Sequence, residues 1–299
     1  NIIGRTYAEA KFLRYFTLTA NLGIDLNNFR SQTYQNRIVG DGVTGGGTAS
    51  RVSNEFRTIS LNQLLNYNQT FGDHEVTVLV GHESIETRDE YFSGSRRAQN
   101  LDGNIELANF VTISGVDGEL RELRREAYLS RINYAFKNRY YLDVSYRRDA
   151  SSRFYENTRW GNFYSFGASW SIMKESFMQN VKWLTDLKLR ASYGSVGNDG
   201  LDTYFEYQPL YSLGWNNAGE PGALYAKLYN PDLTWEVNYT KTVGVEFGIL
   251  KNRISGTIEY FHRGSKKLLF EVNLGPSAVV PTIVENIGAM YNNGIEVQL

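Results

Sequence analysis

What most restricts the fold of this sequence is a two-residue alternation of apolar and polar side chains, repeated in segments of roughly eight to ten residues. From Tyr128 to Phe136 one set is Tyr128, Ser130, Ile132, Tyr134 and Phe136, and the other is Leu129, Arg131, Asn133 and Ala135. The chain turns at Lys137-Asn138-Arg139 and alternates again, with Leu142, Val144 and Tyr146 against Asp143, Ser145 and Arg147. Successive side chains of an extended chain point to opposite faces, so the pattern predicts a sheet with one oily face and one charged face.

The signal recurs along the chain. Residues 1–12 lack it and are expected to form an irregular lead-in. Tyr15 to Asp25 alternates, with Phe16, Leu18, Ala20, Leu22 and Ile24 on one side. Further strands are expected over 55–71 and 74–86, joined by a tight hairpin at Phe71-Gly72-Asp73-His74, and over 126–136, 139–148, 162–172 and 185–194. After them come 240–250, a turn at Lys251-Asn252-Arg253, then 254–263 and 292–299, with a weaker strand near 205–213. Residues 26–52, 88–123 and 197–234 are polar and are expected to be long loops. This makes roughly ten or eleven strands, with tight turns at one end and long loops at the other.

Composition narrows the solvent without choosing it. No apolar run approaches the ~18–20 residues of a membrane helix, and residues 1–25 do not have the form of a signal peptide. A net charge of −1 argues against a nucleic-acid binder. There is no cysteine to build a disulfide or a thiolate metal site. Aromatic content is 14%, with 21 Tyr and 16 Phe. A soluble β-sandwich that serves as a binding or adhesion module fits these numbers. So does a barrel that girdles itself with aromatic residues at two membrane interfaces. The alternation is the same in both, because only the medium against the apolar face differs.

Particular motifs point further. Ser130-Arg131-Ile132-Asn133-Tyr134, Asn138-Arg139-Tyr140 and the run Arg147 to Phe154 (RRDASSRF) come first. Trp160-Gly161-Asn162-Phe163, Trp170-Ser171-Ile172, Glu175-Ser176-Phe177 and the run Leu187 to Gly194 with Gly197-Asn198 follow. Asn230 to Glu236 (NPDLTWE), Asn286-Ile287-Gly288-Ala289-Met290 and Asn293-Gly294-Ile295-Glu296 complete the set. In order and spacing this resembles the β-barrel of SusC/RagA-type TonB-dependent outer-membrane transporters, over roughly residues 55–299. Ala150, Tyr164 and Lys267 depart from the pattern, each in a loop or turn.

The resemblance implies an all-β, antiparallel up-and-down transmembrane barrel. Residues 1–299 would form about half of a barrel of about 22 strands, with the plug domain and C-terminal strands outside it. It also implies a place in the cell outer membrane and energised uptake of oligosaccharides or peptides. The implied partners are TonB, acting through an N-terminal region absent here, a SusD-like surface lipoprotein, and outer-membrane lipid. A passive porin fits the motifs less well.

Residues with chemical potential also have structural roles open to them. Arg131, Asp143, Arg147, Arg190 and Glu246 are expected to line the lumen, either meeting plug and substrate or pairing among themselves. Trp215 and Tyr225 are the loop aromatics best placed to stack on a substrate. Tyr140, Tyr146, Trp160, Tyr164, Trp170 and Trp183 read as interface aromatics. His74, His82 and His262 are too far apart for one metal site. Ser151-Ser152 beside Asp149 has no histidine near it in sequence, so no nucleophilic catalysis is expected. Gly45-Gly46-Gly47 lacks the Lys-Ser/Thr of a phosphate loop. Asp41 and Asp102 lack the spacing of a calcium loop. Neither an enzyme nor a cofactor is expected.

Overall fold

Alternating segments pair most cheaply with their sequence neighbours, since short connections lose little chain entropy. The computed structural model describes residues 1–299 and contains fifteen strands. They are β1 (Ile2–Phe12), β2 (Phe16–Gln35), β3 (Thr48–Phe71), β4 (His74–Gln99), β5 (Phe110–Phe136), β6 (Tyr140–Ser151), β7 (Trp160–Ser171) and β8 (Leu184–Asn198). The remainder are β9 (Leu210–Asn217), β10 (Glu220–Lys227), β11 (Glu236–Ile249), β12 (Ile254–Lys266), β13 (Leu269–Asn273), β14 (Thr282–Asn286) and β15 (Ala289–Gln298). Eleven form one open sheet in the order β1-β2-β3-β4-β5-β6-β7-β8-β11-β12-β15. The pairs β9–β10 and β13–β14 are separate two-stranded hairpins inserted in connections.

Three expectations need correction. Residues 1–12 are not an irregular lead-in, because Ile2–Phe12 is the edge strand β1. Most of 26–52 and 88–123 is strand rather than loop, since β2, β3, β4 and β5 run for 20, 24, 26 and 27 residues. The true loops there are 36–47 and 100–109. The physical reason is visible in β5, where residues 111–120 are exposed on both faces. With water on both sides alternation brings no energy, so the sequence does not keep it. The expected strand near 205–213 is displaced to Leu210–Asn217.

The chain divides into two compact units. One comprises Asn1–Tyr7, Asn21–Leu61 and Ile85–Arg124. Its connections are tied by polar contacts: the Arg37 guanidinium donates to Gln99 O at 3.1 Å and to Asp102 Oδ2 at 2.8 Å. Tyr34 donates to Gln99 Oε1 at 2.9 Å beside the buried ring of Phe110. Gly47, at φ +88°, lies against Arg37 and Gln99 where a Cβ would crowd both, so the glycine run serves a turn. Asp102, weighed as a cation ligand, is therefore engaged by Arg37.

The second unit comprises Ala8–Ala20, Asn62–Ser84 and Arg125–Leu299. Cross-strand partners share a face, and the register puts Leu129 opposite Arg147, Arg131 opposite Ser145 and Asn133 opposite Asp143. The opposite face carries Ile132 beside Val144 and Phe166, and then Val243 beside Tyr260 and Ile295. No second layer covers this apolar face, which overturns the sandwich alternative: Ile132 is 45% and Ile295 70% exposed.

Aromatic side chains flank the aliphatic band at both ends. At the tight-turn end Phe12 stacks on Phe16, His74 packs on Phe136, and Tyr140 lies between Phe136 and Trp170. At the loop end Tyr128 packs between His82 and Trp160, Tyr164 meets Tyr193, and His262 sits between Tyr239 and Tyr291. The three histidines are thus distributed along the apolar face among aromatic rings.

The tight-turn end is closed by backbone that only a few residues tolerate. Lys137 and Asn138 both take positive φ, as a two-residue turn matching the twist of the strands requires. Beyond β7, Glu175 accepts from Tyr140 Oη at 2.7 Å, Trp170 Nε1 at 3.0 Å and Arg139 Nη1 at 3.2 Å. These donors, the Tyr140 hydroxyl foremost, hold its carboxyl below the usual range.

Two predictions follow from this geometry. In lipid vesicles, Ile132→Arg costs the full-length protein about 2–4 kcal/mol in urea unfolding, while Ala135→Arg on the polar face costs under about 1. The second concerns pH. A depressed carboxyl stabilises the fold fully above its ordinary value of about 4.5, and that contribution is lost as pH falls through the lowered value. Acidification through that window therefore increases protease cleavage within 172–183, and Glu175→Gln makes cleavage there independent of pH over it.

Candidate functional site

The polar face is a chain of charges that satisfy one another. Arg147 Nε donates to Asp149 Oδ1 at 2.7 Å, and its Nη1 reaches Glu83 Oε2 at 3.4 Å. Arg190 is held between Glu246 at 2.7 Å and Glu259 at 2.6 Å, and Lys188 stands 3.8 Å from Glu246. Arg131 lies 3.8 Å from Asp143, which also accepts from Asn133 Nδ2. The five residues singled out from the sequence thus all stand on one face. The structure brings Arg131 to Asp143 and Arg190 to Glu246, and it pairs Arg147 with partners that periodicity did not reveal.

At the loop end of this face, two segments that are far from it in sequence converge on Asp199. Arg125, from β5, donates to its carboxylate from Nε and Nη2, both at 2.9 Å. Ser151, at the end of β6 and fully buried, donates to Oδ2 at 2.8 Å. Arg153 donates to the Asp199 carbonyl at 2.6 Å. Asp199 thereby ties the middle of β5 and the end of β6 to the end of β8, and Ser151 serves as a donor to a carboxylate.

Beside this node lies the main apolar core. Phe154 and Leu233 are fully buried and pack with Phe163 and Trp235. The Trp235 indole donates to Arg159 O at 2.7 Å, and Thr234 donates its hydroxyl to Thr158 O at 2.8 Å and its N–H to Asn286 Oδ1 at 2.7 Å. A Cβ at Gly161 or Gly197 would overlap the Phe163 ring, so both motif glycines exist for close approach.

Between the charge chain and this core is a cleft of about 450 Å³, lined by Arg125, Ser145, Arg147, Asp149, Phe163 and Asp199 among others. Ser145 and Ser165 hydroxyls pair across its floor at 2.6 Å. The cleft combines fixed guanidinium and carboxylate groups with hydroxyls and one aromatic wall, a set suited to hydrogen bonding a polar chain rather than to bond cleavage. Arg125, Asp199, Ser165 and Glu83 were missed from the sequence, because alternation identifies a face but not which strands meet on it. A repeated motif spacing was the only available signal. Trp215 and Tyr225 lie elsewhere, exposed on the β9–β10 hairpin. There Trp215 donates to Ser212 Oγ at 3.2 Å and Tyr225 packs on Tyr211 at 4.5 Å between ring centroids.

Comparison with known proteins agrees with this geometry. Residues 3–299 match the family model described as TonB dependent receptor-like, beta-barrel. TonB-dependent receptor P39 of Formosa agariphila is 32% identical over 304 residues, covering 98% of this chain and 28% of the relative. TonB-dependent receptor SusC of Bacteroides thetaiotaomicron is 32% identical over 254 residues, covering 80% and 24%. Among solved structures, the RagAB peptide transporter superposes with a TM-score of 0.89 at 26% identity, covering 99% of this chain and 33% of that one. The chain therefore spans between about a quarter and a third of the length of these relatives.

The Asp199 node makes a definite prediction. Asp199→Ala leaves Arg125 and Ser151 without their acceptor and costs about 2–4 kcal/mol, the half-exposed guanidinium keeping the figure below that of a fully buried pair. In the full-length protein the loss appears as faster protease cleavage within 199–235 with the barrel intact. Asp199→Asn, which still accepts from Ser151, recovers part of it.

Proposed function

The chain belongs to the TonB-dependent receptor-like β-barrel family, and from that premise we propose that the whole protein imports oligosaccharides or peptides across the outer membrane. The stretch described here is wall of the outer-membrane barrel, with its apolar face in lipid and its polar face toward the lumen. In this reading the tight turns lie on the periplasmic side and the loops outside. Transport draws energy through TonB acting on a plug, and a SusD-like lipoprotein covers the extracellular opening. No bond of the cargo is broken.

The observation that carries the reading is the likeness to the RagAB peptide transporter over 99% of this chain. The inner wall supports it. Arg131, Arg147 and Arg190 each stand beside carboxylates, so a passing molecule meets many fixed donors and acceptors but little unopposed charge. That suits a neutral glycan or a zwitterionic peptide better than a highly charged cargo. In this reading Trp215 and Tyr225, exposed on the β9–β10 hairpin, are the aromatics available to a sugar ring or to the lid protein.

The test is uptake of labelled oligosaccharide and peptide pools by cells carrying the full-length protein, with and without functional TonB. Uptake of one pool that disappears without TonB supports the proposal. Uptake of either pool at the same rate without TonB overturns it. Trp215→Ala lowers uptake of a glycan cargo several-fold through lost stacking, and leaves heat-modifiable migration of the barrel unchanged.

A further inference from the structure

The charges of the inner wall are paired, but some of those on the outward face are not. Lys241, on β11, follows the outward register with Val243 below it, and it is paired across the strands with Tyr193 and His262. Its ammonium lies 6.0 Å from the ring centroids of both Tyr193 and Tyr239, and Lys266 Nζ lies 5.2 Å from the Tyr239 ring. His262 Nε2 is 3.5 Å from the Tyr239 hydroxyl. Each lysine is exposed and lies against an aromatic ring, and no carboxylate stands within ion-pair distance of either.

Position gives this cluster its meaning. The row Lys241–His262–Asn293 sits one step toward the loops from the apolar row Val243–Tyr260–Ile295. In the barrel reading this row marks the loop-side edge of the lipid-facing band, and Lys266 reaches back to Tyr239 from two rows nearer the loops. A concavity of about 370 Å³ lined by Lys241, Val243, Tyr260 and His262 joins the two rows.

We propose that this outward cluster is a binding site for a phosphate-bearing lipid of the outer leaflet. Its phosphate sits between Lys241 and Lys266 beside Tyr239 and His262, and its acyl chain runs down over Val243, Tyr260 and Ile295. Charge complementarity selects the occupant, because two cations without a counter-ion at headgroup level attract phosphate, while the apolar row beneath excludes a free anion or a soluble acidic protein. Aromatic contact at an exposed site holds a lysine only weakly, so an arriving phosphate has no ion pair to break. The inference rests on the barrel's place in the outer membrane and not on what it transports.

The experiment uses full-length protein in neutral detergent, titrated with lipid A and, separately, with lipid A stripped of its phosphates. Phosphorylated lipid is expected to bind more tightly. The double variant K241Q/K266Q is expected to weaken it by roughly 25-fold, about fivefold for each lysine. K241R/K266R retains binding. Equal affinity for the dephosphorylated lipid, or a double variant that binds as well as the parent, overturns the proposal. So does inorganic phosphate that binds as tightly as the lipid, since the site would then read an anion and not a lipid. Unchanged heat-modifiable migration of each variant shows that the barrel has folded. Because no readout depends on uptake, failure here leaves the transport reading standing, and failure of uptake leaves this one standing.

Discussion

Hydrocarbon offers a peptide group no hydrogen-bond partner, and everything in this structure follows from that. A segment that crosses it as a strand must pair every N–H and C=O with a neighbour, at several kcal/mol for each failure. The continuous registers of β5 through β8 and of β8, β11, β12 and β15 meet this demand over the apolar band. With the backbone satisfied by its neighbours, side chains are left to match two media, and the two-residue period is the result. It also explains why the apolar face carries no second layer: lipid is that layer.

The sequence signature of the family has a structural explanation in this chain. RRDASSRF, GND and NPDLTWE share no strand, yet Ser151, Arg153, Asp199, Leu233 and Trp235 assemble into one node of buried hydrogen bonds and close packing. Its partners are 48 and 74 residues apart in the chain. Loops that leave a barrel are otherwise free to fray, and Asp199, whose carboxylate accepts from β5 and β6 and whose carbonyl accepts from the turn after β6, fixes where they start. The residues that make the family easy to read are those that anchor the loops.

Legibility follows the same logic. Strands were readable where their two faces meet different media, as in Tyr128–Phe136, and turns were readable where positive φ demands particular residues, as in Gly72-Asp73 and Lys137-Asn138. The outer part of β5 was not, because residues 111–120 are wet on both faces and polar and apolar residues serve equally on either. The β9–β10 hairpin was hidden for a related reason, being a short and largely exposed pair, and β13–β14 is only five residues a strand, too short for alternation to stand out. Of the site, the shared face of Arg131, Asp143, Arg147, Arg190 and Glu246 was legible from parity. Asp199 was not, since nothing local marks an aspartate whose partners come from other strands.

The two faces also differ in how they treat charge, and the difference is energetic rather than accidental. On the inner wall Arg190 sits between two carboxylates, because a partly desolvated guanidinium without an acceptor is costly. On the outer face an unpaired cation should be costlier still, were it in hydrocarbon. Lys241 escapes that cost by standing one row beyond the apolar row, and Lys266 by standing three rows beyond it, each with its ammonium near an aromatic ring. Arg148, over Trp160 at 4.8 Å, does the same on β6. Nothing in the barrel's own stability asks for these cations, since a polar uncharged residue would sit at that level as well. Their retention without a protein counter-ion is the signature expected of a surface whose counter-ions belong to the membrane.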